Sequence, residues 1–241
     1  MTADPRPLAG YPLAGDDWGE TVHYGPLVAD ENTLRLLGAL TGRRVLLLGC
    51  GSGQPAAALT TAGARVIAVE PSPVAADEAR RYLARRGLSV EVHERDLAEL
   101  AFVRAETVDI MLSVFSLAGV ADLTRVFRQV HRVLKSDSAI VVSLPHPMLS
   151  LVDAPADRSD PPRRYGEAHP VRWHSGEVSG VDHGHTIESL ATALGRTGFR
   201  IENLLEPLAN LTGASAADAY WRPAMDTFPV ALIVRARKQG M

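Results

Sequence analysis

The run Val45-Leu46-Leu47-Leu48-Gly49-Cys50-Gly51-Ser52-Gly53 concentrates the chemistry of this chain. An apolar stretch ends in three glycines at alternate positions. Downstream, Ala64 to Val69 reads as a second strand and delivers an acid, Glu70, at its tip. Glycines after a strand let the backbone turn sharply and lie against a ligand, because no Cβ stands in the way. An acid at the end of the next strand can accept hydrogen bonds from a ribose diol. Together these residues describe a nucleoside pocket; a glycine turn beside a surface acid would use the same residue types without the strand context.

The spacing separates two kinds of ligand. Dinucleotide sites favour G-x-G-x-x-G/A, whose last small residue packs helix on strand. Here Gly49, Gly51 and Gly53 are G-x-G-x-G, and Gln54, large and polar, fills the position that should be small. The run resembles motif I of the class I S-adenosylmethionine-dependent methyltransferases. Glu70-Pro71-Ser72 resembles the ribose-binding tip of that family, and Arg95-Asp96-Leu97 its adenine-contacting turn. Val108 to Ser113 resembles its fourth strand, and Val130 to Lys135 followed by Ala139 to Leu144 its next helix and fifth strand. The likeness spans Glu31 to Leu144 and resumes from His185 to Pro207; Trp18 to Gly25 is similar to the aromatic N-terminal segment of small-molecule members.

The resemblance implies S-adenosylmethionine as cofactor, S-adenosylhomocysteine as product and a small-molecule methyl acceptor. It assigns Glu70 and Pro71 to the ribose, Asp96 and Leu97 to the adenine edge, and Gly49, Cys50, Gly51, Gly53 and Gln54 to the loop beneath the methionine half. Ser113, Val114 and Phe115 would line the same cleft, with Tyr24 closing over it; Tyr24 and Trp18 suit core packing nearly as well. Two positions depart from the family. Leu48 stands where an acid commonly precedes the first glycine, so the methionine ammonium needs another partner, and Ser136-Asp137-Ser138 replaces a Pro-Gly-Gly turn.

A hydroxyl, phenol or ammonium acceptor needs a base, and His146, just past strand five between Pro145 and Pro147, is the first candidate; His23 is second. Asp109 begins strand four at the opposite edge and reads as structural. His183-x-His185 lacks a carboxylate partner, so no metal site is expected. A non-methylating reaction on the same cofactor, or a binding scaffold, is the alternative function; a nicotinamide oxidoreductase is disfavoured by Gln54.

The elements that must position these residues alternate strand and helix, which argues a Rossmann-like doubly wound α/β sheet. Strands are expected at Arg43 to Leu48, Ala64 to Val69, Ser89 to His93, Val108 to Leu112, Ala139 to Leu144, Phe199 to Leu205 and Val230 to Arg235. By resemblance the sheet has seven strands, mostly parallel, with the last running antiparallel between its neighbours. Helices are expected from Asp30 to Leu40, after Pro55, from Ser72 to Arg86, from Asp122 to Leu134 and from Thr186 to Thr197.

Residues 1–241 read as a single domain, with 1–29 an N-terminal arm, loose over its first fifteen residues, and 145–185 an inserted substrate cap rich in proline. At 46% apolar content the chain can bury a full core. A net charge of −3 leaves no basic footprint for nucleic acid. No apolar run is long enough to span a bilayer and no signal peptide is evident, which with the single Cys50 suggests a reducing cytoplasm. A monomer or homodimer is expected.

Overall fold

A computed structural model describes residues 8–12, 20–152, 164–166, 170–210 and 219–240. Seven strands form one sheet: β1 (Arg44–Leu48), β2 (Arg65–Glu70), β3 (Glu91–Glu94), β4 (Val108–Val114), β5 (Leu134–Pro145), β8 (Phe199–Leu205) and β9 (Ala231–Lys238). Their spatial order is β3-β2-β1-β4-β5-β9-β8. The first five are parallel, and β9 runs antiparallel to both β5 and β8. The expected sheet, with its antiparallel last strand, is the one observed.

Strand alternation divides the core between the two faces of the sheet. Val45, Leu47, Ala68, Ile110, Leu112 and Ile233 pack on one face. Leu46, Leu48, Val69, Met111, Val142 and Val234 pack on the other. Nearly continuous apolar strands are what a sheet covered on both faces requires. The covering helices include α2 (Gln54–Thr61), α3 (Pro73–Arg85), α4 (Leu123–Val133) and α6 (Ile187–Arg196). Ser72, Asp122 and Thr186 cap α3, α4 and α6 by accepting from the backbone N–H groups of Ala75, Arg125 and Ser189.

The helix expected from Asp30 to Leu40 is cut short. Helix α1 covers only Glu31–Leu34, and Arg35 ends it in the left-handed region at φ 51°. The Glu31 carboxylate accepts from the N–H groups of Leu36, Leu37 and Gly38 at 2.9, 2.9 and 3.1 Å. Those amides would otherwise continue the helix, so a side chain replaces the carbonyl ladder. Strand β4 extends to Val114, placing Ser113 and Val114 inside the strand.

The proline-rich segment also holds more regular structure than its composition suggests. Helix α5 spans Pro147–Val152, and β6 (Val171–Ser175) pairs antiparallel with β7 (Val178–Asp182) as a separate hairpin. Gly176, at φ 59°, makes the two-residue turn between them. Trp18 and His169 lie outside the described residues. Among the described residues no helix is long and apolar enough to cross a membrane.

Candidate active site

The carboxyl ends of β1, β2, β3 and β4 meet at one edge of the sheet, where ligands of open α/β folds bind. The glycine loop leaves β1 there. Gly49 adopts φ 77°, and a Cβ on it would stand 1.8 Å from the Ser116 Oγ. Only glycine therefore lets the turn Ser116–Gly119, which follows β4, close onto the loop. Gly53 plays the matching part toward α3, since its Cβ would meet the Ala79 Cα at 2.9 Å.

Glu70 joins the loop to α3. It is 7% exposed, accepts from the Gly51 N–H at 2.9 Å and accepts from the Ser72 N–H at 3.1 Å. Burial pushes its carboxyl up to about 7, against the opposing pull of the Ser72, Gly51 and Cys50 amides. Cys50 is fully buried, and burial with the nearby Glu70 charge raises its thiol far above the range of a reactive cysteine. Gln54 is buried in the first turn of α2, with its side-chain oxygen accepting from the Ser52 hydroxyl at 2.5 Å.

A cavity of about 320 Å³ opens over this arrangement, within the range of small-molecule sites. Gly51, Glu70, Pro71, Asp96 and Leu97 line it, all residues expected at the site from sequence. Asp96 is exposed and accepts from the Ala98 N–H at 2.8 Å. The other expected residues lie behind the cavity wall. Phe115, Ser113 and Val114 are buried at the end of β4, and Tyr24 is buried with its hydroxyl donating to Glu31. The Leu48 side chain, likewise fully buried, packs in the core.

Several lining residues were not expected. Residues 8–12, part of the presumed loose arm, cross the glycine loop: the Pro12 carbonyl oxygen is 2.5 Å from where a Gly51 Cβ would be. Tyr11 is anchored there, edge-on to Tyr220 at 5.2 Å and 6.0 Å from Phe115. The β6–β7 hairpin supplies another wall. Trp173 pairs with Gly180 across the hairpin, and its indole covers that glycine so closely that a Cβ would meet Cζ2 at 2.5 Å. The hairpin is tied to the turn after β4: the His183 N–H donates to the Ala118 carbonyl, and the His185 ring Nε2 donates to the Val120 carbonyl. Two polar groups matter for what this site can hold. The Trp173 indole N–H is buried with no partner among the described residues, and the Glu78 side chain makes no hydrogen bond or ion pair with any of them.

His146 lies at the end of β5 but does not line the cavity. Its Nδ1 accepts from the Met148 N–H at 3.2 Å, so Nε2 carries the proton and faces Glu206 Oε1 at 2.8 Å.

A strand-tip carboxylate, backbone brought close by glycine, and an unpartnered donor in the wall suit a nucleoside with polar substituents. Comparison with known proteins agrees. Residues 46–142 match the family described as "Methyltransferase domain". The ubiquinone biosynthesis O-methyltransferase of Aromatoleum aromaticum is 34% identical over 51% of this chain and 54% of its own length. That of Methylocella silvestris is 36% identical over 51% and 56%. The chain thus spans about half the length of the curated relatives it matches. A solved S-adenosylmethionine-dependent methyltransferase structure from Listeria monocytogenes shares the fold, with a TM-score of 0.68 at 20% identity over 86% of this chain and 94% of that one. Residues 46–142 thus carry a methyltransferase domain, on a fold shared with solved S-adenosylmethionine-dependent methyltransferases.

Proposed function

We propose that the chain transfers a methyl group from S-adenosylmethionine to a small-molecule nucleophile. The observation that carries this reading is the carboxyl-edge cavity, built on Glu70 and the glycine loop and covered by the hairpin and residues 8–12. The cofactor supplies a methyl group already activated by its positive sulfur, so the protein's task is mostly positioning. Glu70 would take the ribose hydroxyls, and Asp96 with the Leu97 backbone the adenine edge. Gly49, Gly51 and Gly53 would admit the methionine half, backed by the buried Cys50, Gln54, Ser113, Val114, Phe115 and Tyr24. Because Leu48 offers no charge, we assign the methionine ammonium to Glu78, the acid on the cavity wall that no described residue engages.

The volume of the cavity and its covering walls support a small acceptor over a polymer. The relatives named as ubiquinone biosynthesis O-methyltransferases support an oxygen nucleophile, a phenolic hydroxyl being the acceptor we propose. Where the acceptor must lose a proton, His146 is the proposed base. Glu206 on Nε2 would stabilise the imidazolium, and Nδ1 would exchange the Met148 N–H for the substrate proton.

Release of S-adenosylhomocysteine with a panel of phenolic acceptors tests the reading. Turnover by the wild type, abolished in Glu70→Ala and reduced at least a hundredfold in His146→Ala with cofactor binding unchanged, is expected. Tight cofactor binding without any demethylated product across the panel would sink methyl transfer in favour of a non-methylating role.

A further inference from the structure

The opposite edge of the sheet carries a second cavity, of about 800 Å³, with Arg35, Arg43, Lys135, Arg235 and Arg237 on its walls. Strand β1 runs from this edge to the glycine loop. Its five residues, at about 3.3 Å each, put roughly 15 Å between the two cavities. A ligand in the second cavity is therefore not the cofactor.

The charges here do not balance. Lys135 is held by Asp109 at 2.6 Å, and Asp109 also accepts from the Arg44 N–H at 2.8 Å. A single carboxylate, Glu202, serves three guanidiniums: Arg237 at 2.5 and 3.2 Å, Arg200 at 3.5 Å, and Arg235. Asp137 adds only a contact of 3.7 Å with Arg237. With Arg200 on Glu202 and the Glu31 carboxylate acting on Arg235, six cations face four acids, and two positive charges are left over. The Arg35 and Arg43 side chains, both exposed, make no hydrogen bond or ion pair with any described residue, and Arg43 acts on Asp109 only through space. Burial and the like charges of Arg237 and Arg43 pull the Arg235 guanidinium below its usual range. Neutral donors stand beside the cations: the Ser136 and Ser138 hydroxyls and the Asn203 amide line the same cavity and have no side-chain partner among the described residues.

We propose that this cleft binds a phosphorylated small molecule, as an effector site separate from the site of methyl transfer. Unpaired guanidiniums present a planar fork that matches phosphate oxygens, and hydroxyl and amide donors satisfy the oxygens that remain. The cleft is concave and lined by residues far apart in the sequence, unlike a solvated run of charge. Its ligand would bridge Arg35 after α1 and Arg43 before β1. Segment 31–38 also receives the Tyr24 hydroxyl through Glu31, so the bridge would reach a residue packed behind the cofactor loop.

Calorimetric titration of pyrophosphate into the full chain, at ionic strength held constant with chloride, tests the proposal. Saturable one-site binding is expected, at least tenfold weaker in Arg43→Gln and in Arg35→Asn. Both substitutions are at exposed positions, and unchanged thermal melts would establish that the variants are folded. Three results would each overturn the proposal. Heat that does not saturate would mean charge screening only. Binding that survives both substitutions would place the anion elsewhere. A single-stranded oligonucleotide that binds where pyrophosphate does not would reassign the cleft to a polymer.

Discussion

Glu70 carries two opposed demands, and they separate on the pH axis. Its carboxyl rises from 4.5 to about 7 because burial disfavours the charge more than the backbone donors favour it. The folded chain thus holds this proton more tightly than the unfolded chain. The stability it contributes is fully present below pH 4.5 and is lost as pH climbs through about 7. Ribose binding has the reverse sign, because only the carboxylate accepts from both hydroxyls. S-adenosylmethionine affinity should rise with pH and level off above 7, with a dissociation constant roughly tenfold weaker at pH 6 than at pH 8. Glu70→Gln should bind more weakly and independently of pH; a pH-sensitive Gln variant in calorimetric titration would defeat this account. The position of Glu70 was legible, since a strand and a following acid are local signals. Its partners were less so. Gly49 is visible as a glycine, but the Ser116 hydroxyl that demands it lies sixty-seven residues away. Gln54 was legible as unfit for close packing, and the structure puts that contact one residue earlier, where Gly53 meets Ala79.

Among the elements, those with strong period and caps were legible, and the two that misled did so for identifiable reasons. Asp30 does cap a helix, accepting from the Thr33 N–H at 3.1 Å, but the competing acceptor one residue later, Glu31, ends it. The segment after β5 is dominated by prolines up to Pro170, which hide the alternation of Val171, Trp173 and Ser175 and the turn glycine that follows. That hairpin is where the walls of the cavity depend on one aromatic–glycine pair. The Trp173 indole occupies the space above Gly180, and two hydrogen bonds tether the chain just after β7. Gly180→Val should push the indole out of the wall while leaving the seven-stranded sheet intact. The expected outcome is a melting temperature within a few degrees of wild type and an acceptor KM raised tenfold or more. Amide hydrogen exchange should locate the change in 171–182. A loss of global stability with KM unchanged would mean that the hairpin belongs to the core and not to the site.

The whole molecule is organised around a sheet whose final strand is not at its edge. Strand β9 lies between β5 and β8 and pairs along its length with both. Leu232, Ile233, Val234 and Ala236 are buried on its two faces. At about 1.5–3 kcal/mol for each large apolar side chain, losing β9 forfeits roughly 5–10 kcal/mol before the exposed ladders of both neighbours are counted. That is comparable with the whole stability of a typical domain, about 5–15 kcal/mol. The hairpin stands in the opposite relation, since its two strands pair only with each other. Two deletions should therefore behave differently. Removing residues 231–241 should abolish cooperative unfolding in denaturant, leaving β5 and β8 unpaired. Replacing residues 171–182 by a short glycine–serine linker should keep a cooperative transition and a native far-ultraviolet dichroism spectrum, yet lose turnover. The chain would then divide into a sheet that folds as a unit and a removable wall that shapes the cavity. If the strand deletion instead retained a sharp transition, the sheet would have to tolerate an internal gap, and β9 could not be the strand that joins β8 to the rest.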